Sequence, residues 1–141
     1  MSFDPGIAAH LAFDKARESA ELGGELEAAV AAEERFSSGV GEDASAAYRE
    51  LVEIGARHPG ASFFTEFLIY ATWCHLMDET VPEHFRRGLA LCRRLLGRLG
   101  PGGDAERLAR LRSIEQSFRA GLGGEPEELT DYDADTLKGG D

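Results

Sequence analysis

The chain of 141 residues holds two cysteines, five prolines, two methionines and one tryptophan, and each scarcity removes a class of protein. Two cysteines cannot build a disulfide framework. Cys74 and Cys92 both lie in apolar runs, so reduced, buried thiols in a cytoplasmic protein are expected. Long hydrophobic runs are missing too. The longest, Phe63 to Met77, is interrupted by Thr65, Glu66, Thr72 and His75 and falls short of the ~20 residues a membrane helix needs. Met1-Ser2-Phe3-Asp4-Pro5 leads into Ala, His, Asp and Glu rather than an apolar stretch, so export is not expected. Neither β-branched runs nor period-two alternation occurs, which leaves strands without a foothold. The chain is long enough for one compact domain and too short for two.

Charge is present in quantity. Fifteen basic residues against 26 acidic ones give a net charge of −11, which favours solubility and disfavours a general nucleic-acid binder. The sum hides an asymmetry: residues 1–42, 43–81, 82–123 and 124–141 carry −6, −4, +5 and −6. The last block, GEPEELTDYDADTLKGGD, offers little apolar surface to offset the entropy of ordering it, and is expected to be an acidic flexible tail on a domain spanning 1–123. Two alternatives stand for that tail. It is simply solvated, or Glu127, Glu128, Asp131 and Asp133 fold back over the arginines of the basic block until a partner competes.

Apolar residues recur at three- and four-residue spacing nearly throughout, so the fold class is all-α, with about six helices. Asp4-Pro5 is a capping carboxylate before an N1 proline, and Gly23-Gly24 a break, which predicts a first helix near 5–22. An Ala-rich second helix follows near 25–37. Asp43 is placed to cap a third, 44–57, closed by His58-Pro59-Gly60, and Ser62 to cap a fourth, 63–78. Thr80-Val81-Pro82-Glu83 has the spacing of a capping box opening a fifth helix to about Leu99. Asp104 caps a sixth, to about Gly121.

The helical faces predict the packing. On the fifth helix Phe85, Leu89, Leu91, Cys92, Leu95, Leu96 and Leu99 share one side, while Arg86, Arg87, Arg93, Arg94 and Arg98 share the other. The sixth carries Leu108, Leu111, Ile114, Phe118 and Leu122 in a narrower stripe. The fourth is apolar all round, from Phe63 to Met77, and is expected to be the central rod covered by the others.

Chemistry-bearing clusters are few. His75 and Glu79 are one helical turn apart and His84 follows, a spacing on which imidazole and carboxylate reach one metal, yet no His-Glu-x-x-His or Cys-x-x-Cys accompanies them. The packing alternative makes His75 a punctuation of a buried helix; no metal site and no cofactor are expected. Cys74 has His10, His58, His75 and His84 as conceivable bases, with nothing that fixes an anion-stabilising group beside it. The glycine-rich Gly100-Pro101-Gly102-Gly103 follows a helix rather than a strand and reads as a turn. The arginine face, joined by Arg107, Arg110, Arg112 and Arg119, has more content, because guanidinium groups fork onto phosphates and carboxylates. An acidic protein or peptide is its expected partner, and nucleic acid is not expected, since the aromatic and motif features of duplex readers are missing.

Two stretches, AAYRELVEIGARHPGASFF and FRRGLALCRRLLGRLGPGGDAE, share a rhythm in which an amphipathic helix ends at Pro59 and again, 42 residues on, at Pro101. In this the chain resembles the tetratricopeptide-repeat family and its helical-hairpin relatives, with 25–60 and 63–101 as degenerate repeats and 104–121 as a closing helix. Ala47 and Gly88 stand near the small-residue positions of that family's second helix, Ala71 near that of its first, and Pro59 and Pro101 near its terminal proline. The Trp-Leu-Gly-Tyr spacing of its first helix is absent. The resemblance implies antiparallel hairpins in a right-handed stack; a compact six-helix bundle is the alternative. It also implies a groove lined by the first helices, with Tyr70, Trp73 and His75 as candidate contacts.

Three functions follow as expectations. The first is a non-catalytic adaptor that binds a peptide or helix of a partner protein, using Tyr70, His75, Arg86, Arg87, Arg93, Arg94 and Arg98. The second is a homo-oligomer, possible as a homodimer, whose exposed apolar face is covered by another copy. The third is a small metal-binding bundle around His75, Glu79 and His84.

Overall fold

The computed structural model describes residues 4–39, 42–76, 82–100 and 102–123. They form six helices: α1 (Pro5–Glu18), α2 (Leu26–Ser38), α3 (Glu42–Arg57), α4 (Ser62–Leu76), α5 (Pro82–Leu99) and α6 (Ala105–Gly121), with a 3-10 turn at Gly23–Glu25 before α2. No strand occurs among the described residues. The fold is all-α.

Two helix starts follow from local chemistry. Asp4 Oδ1 accepts from the Gly6 and Ile7 amides at 2.9 and 3.4 Å, with Pro5 at the first helical position; Asp104 Oδ1 accepts from the Glu106 amide at 2.9 Å. Two others depart from expectation. Asp43 lies in the first turn of α3, which begins at Glu42, one residue before the expected cap. The cap of α4 is not Ser62 but Glu21, a residue 42 positions away, whose two carboxylate oxygens accept from the Phe63 and Phe64 amides at 3.0 and 2.9 Å. Two orphan donors and the positive end of the helix dipole are satisfied by one anion.

The turn after α1 is what aims that carboxylate. α1 stops at Glu18 rather than near Leu22, because the Ala20 amide donates to Arg17 O and the Glu21 amide to Ala16 O, both at 3.1 Å. These are the paired bonds of a Schellman stop. Ala20 takes the left-handed position, φ 52°, that glycine usually fills. Gly23-Gly24, the expected break, serves instead to turn the chain into α2.

α4 is the centre. It packs against α1, α3 and α5, while α2 packs on α3 and α6 on α5. Phe64, Phe67, Leu68, Ile69, Tyr70 and Ala71 are buried in one run, and burying such side chains contributes roughly 1.5–3 kcal/mol each. Phe13 of α1 wedges against Phe67 and Phe64, with ring centroids 4.9 and 6.2 Å apart. Trp73 meets Phe118 of α6 edge-on at 5.5 Å. The stripe predicted for α6 is buried from Leu108 to Phe118, with Leu122 half-buried against the core. Helix approach is close at Gly88, where the Phe118 ring occupies the space a methyl group would need, and at Gly55, which faces Leu68.

Two substitutions test these points. Ala20→Gly removes the left-handed strain and raises stability by about 1 kcal/mol. Gly88→Ala drives a methyl into Phe118 and lowers it by about 1–3 kcal/mol, although alanine is the better helix former. Urea unfolding midpoints at constant slope measure both.

Candidate interaction groove

Polar groups on a buried helix must be paired, and the pairing of Glu66 builds the site. Glu66 is 4% exposed, on the second turn of α4. Its Oε1 accepts from Arg107 Nε, its Oε2 accepts from the Tyr70 hydroxyl at 2.9 Å, and Arg110 Nη2 lies 4.0 Å from Oε2. Arg107 also donates to Ser62 Oγ at 2.9 Å, so Ser62 anchors α6 rather than capping α4. Burial, then the adjacent carboxylate, pushes the Tyr70 hydroxyl well above the usual phenol range and keeps it a donor.

Around this pairing the surface opens into a groove of about 660 Å³ between α1, the start of α4 and the start of α6. Its floor and α1 wall are apolar: Ile7, Ala8, Leu11, Ala12 and Phe63. Ile7 and Leu11 are 61% and 56% exposed, the exposed large hydrophobic residues among those described. They lie one helical turn apart, away from the Ala9, Ala12, Phe13 and Ala16 face that packs inward. Cations gather at the Phe63 end. Arg107 lies over the Phe63 ring at 4.2 Å and Lys15 at 5.8 Å, with Arg110 beside them, against the carboxylates of Glu66 and the capping Asp104. Asp4 lines the same groove.

The residues predicted to bind a partner are scattered by comparison. Tyr70 is fully buried with its hydroxyl on Glu66, and His75 is 4% exposed, stacked on Tyr48 at 4.8 Å; neither presents a surface, because neighbouring helices cover both. The five arginines of α5 do not form one face. Arg93 turns to α6 and pairs with Glu115 at 3.0 Å, Arg87 lies over Tyr48 at 5.7 Å, and Arg94 is half-buried over a shallow dent between α3 and α5. Arg86 and Arg98 are exposed. Of the groove's own residues, Arg107 and Arg110 were among the arginines expected to meet an acidic partner, whereas Ile7, Leu11, Lys15, Phe63 and Glu66 went unselected in the sequence. The signal for them was the second apolar stripe of α1, Ile7 and Leu11.

The other candidate centres stand as follows. His75 and His84 have ring centroids 4.7 Å apart, and both contact Tyr48. Glu79 lies outside the described residues, and among the described residues no group of three or more His, Cys, Asp or Glu is placed to hold a metal. Cys92 is buried in the core, and burial pushes its thiol well above the ordinary range, in keeping with packing. Cys74, His75 and His10 line a second cavity of about 390 Å³ between α1, α2 and α4, whereas His58 lies elsewhere, its Nε2 donating to Glu25 at 2.7 Å. Arg57 donates to the same Glu25 carboxylate through Nε at 2.9 Å. The two partners, Arg57 first, hold the Glu25 carboxyl at about 2 instead of 4.5. The tail 124–141, with the carboxylates expected to shield the arginines, lies outside the described residues. No described helix is long and apolar enough to cross a membrane.

Compared with known proteins, the chain matches no family model, no curated protein and no solved structure at a significant level.

Two measurements check the electrostatics. Glu66→Ala strips Arg107, Arg110 and Tyr70 of their shared acceptor in a mostly buried site and costs about 3 kcal/mol in urea unfolding. Glu25 has a lowered folded-state pKa, so its pairing stabilises fully above about pH 4.5 and is lost as pH falls towards about 2. Glu25→Gln therefore flattens the acid limb of stability across that window and leaves the limb above it parallel to wild type.

Proposed function

We propose that the protein is a non-catalytic docking module that holds a helical segment of a protein partner along the outer face of α1. The exposure of Ile7 and Leu11 beside a cationic groove end is the observation that carries this reading. Isolated surface leucines are ordinary, but two large aliphatic side chains one turn apart over an apolar trough offer the spacing that helix-in-groove recognition uses. Lys15, Arg107 and Arg110 favour a segment that brings a carboxylate to the Phe63 end. The successive pairs α2 with α3 and α4 with α5 are compatible with a helical-hairpin scaffold of the tetratricopeptide kind, in which the working surface is added to a rigid stack. An acidic partner accords with the charge of the basic block, although the groove draws on α6 and α1 rather than on the arginines of α5.

The test is a photo-crosslinking residue at position 11 of the full-length chain in native lysate, with mass spectrometry of the adduct. A crosslink to an amphipathic helix bearing an acidic residue at one end is the expected result. Leu11→Asp weakens the captured interaction about tenfold or more while leaving the helical content unchanged by circular dichroism. Absence of any protein adduct at position 11, with adducts formed at an exposed control site such as Arg98, overturns the reading.

A further inference from the structure

The outer face of α1 has a symmetry that narrows its partner. Along it run Asp4, Ile7, Ala8, Leu11 and Lys15, all lining the groove. The midpoint of Ile7 and Leu11 falls at Ala9, and the midpoint of Asp4 and Lys15 falls half a residue further on. A two-fold axis across the helix near that point therefore exchanges apolar with apolar and acid with base. Two-fold interfaces require this property: each patch must be its own complement.

From it we infer that the groove is filled by α1 of a second copy of this chain, laid antiparallel, with Ile7 against Leu11 of the partner copy and Asp4 against Lys15 of the partner copy. This rests on reading the groove as a helix-docking site and names its occupant. α1 runs antiparallel to α4, since Phe13 and Lys15 meet the start of α4 while Gly6 and His10 share a cavity with Cys74 and His75 near its end. An incoming antiparallel α1 thus brings its Asp4 to the end where Lys15 and Arg107 lie over Phe63. Its Lys15 arrives at the opposite end, beside Asp4. The Asp4 cap engages one carboxylate oxygen, Oδ1, for both of its amides. Ala8 and Ala12 on the groove wall let two helix backbones approach closely.

Sedimentation and light scattering of the full-length chain across a dilution series test the pairing. The expected result is a reversible dimer whose Kd rises at least tenfold in Ile7→Glu or Leu11→Glu, both exposed positions with no role in the core. The decisive variants are charge reversals. Lys15→Glu and Asp4→Lys each dissociate the dimer, because each homodimer then places like charges opposite one another twice. An equimolar mixture of the two forms a heterodimer in which every facing pair is again opposite in sign. Loss of the Asp4 cap alone would not be rescued by mixing. A chain monomeric at every concentration, yet crosslinked at position 11 to another protein, overturns the self-pairing and leaves the docking reading standing. A dimer indifferent to all four variants overturns the self-pairing, and no adduct at position 11 overturns both.

Discussion

A helix buried on every side has to find a partner for each polar group it carries, and the architecture follows from how α4 does so. Two of its hydroxyls turn back on their own helix: Thr65 donates to Ala61 O at 2.8 Å and Thr72 to Leu68 O at 2.6 Å. Thr72 then accepts from Tyr48 of α3, also at 2.6 Å. Glu66 has only half a local solution: Tyr70, one turn on, donates to it, but a carboxylate also needs its charge balanced, and the cations come from α6. The amides of the first turn are met by Glu21 from the turn before α2. Apolar burial requires only that neighbours be near. These directional bonds fix which turn of each neighbour faces which turn of α4.

The groove is a consequence of those bonds. α6 is drawn to the start of α4 by Arg107, and α1 is held against α4 by Phe13 and by the turn that carries Glu21. Both sit beside the same helix from different sides, and the gap between them is lined by what each does not use for packing. For α6 that residue set is cationic, since Arg107 and Arg110 reach over to Glu66. For α1 it is aliphatic, since alanines and Phe13 suffice to pack inward.

Much of this was legible as pattern. The all-round apolar run of α4, the Leu108 to Phe118 stripe and the Asp4 and Asp104 caps all read directly, because each is local and periodic. What was illegible is instructive. Ala20 takes a position where glycine announces a stop, so α1 looked longer than it is. Glu21 caps a helix 42 residues away, beyond the reach of any local rule. Placing the arginines of α5 on one wheel face treated them as a unit, yet a half-turn of a surface helix borders two neighbours, and long side chains lean to whichever offers a carboxylate or a ring. On α1 the small alanines hide which stripe faces inward: with Ala9, Ala12 and Ala16 packed on the core and Ile7 and Leu11 outside, a ranking by hydrophobicity points the wrong stripe inward.

That inversion follows from geometry rather than from side-chain size. Phe67 and Phe64 already fill the space between α1 and α4, so the facing surface of α1 has room for one large side chain, Phe13, and otherwise for methyl groups. Aliphatic mass on α1 can only point outward. The charges at its two ends then act separately, because Asp4 and Lys15 are about 16 Å apart along the axis, beyond the ~8–10 Å over which salt lets exposed charges interact. The net −11 of the chain governs solubility at long range, while each end of the groove answers only to the charge placed against it. A helix arriving with its acid at the wrong end meets Asp4 rather than Lys15, so direction is specified by the same residues that cap and flank α1.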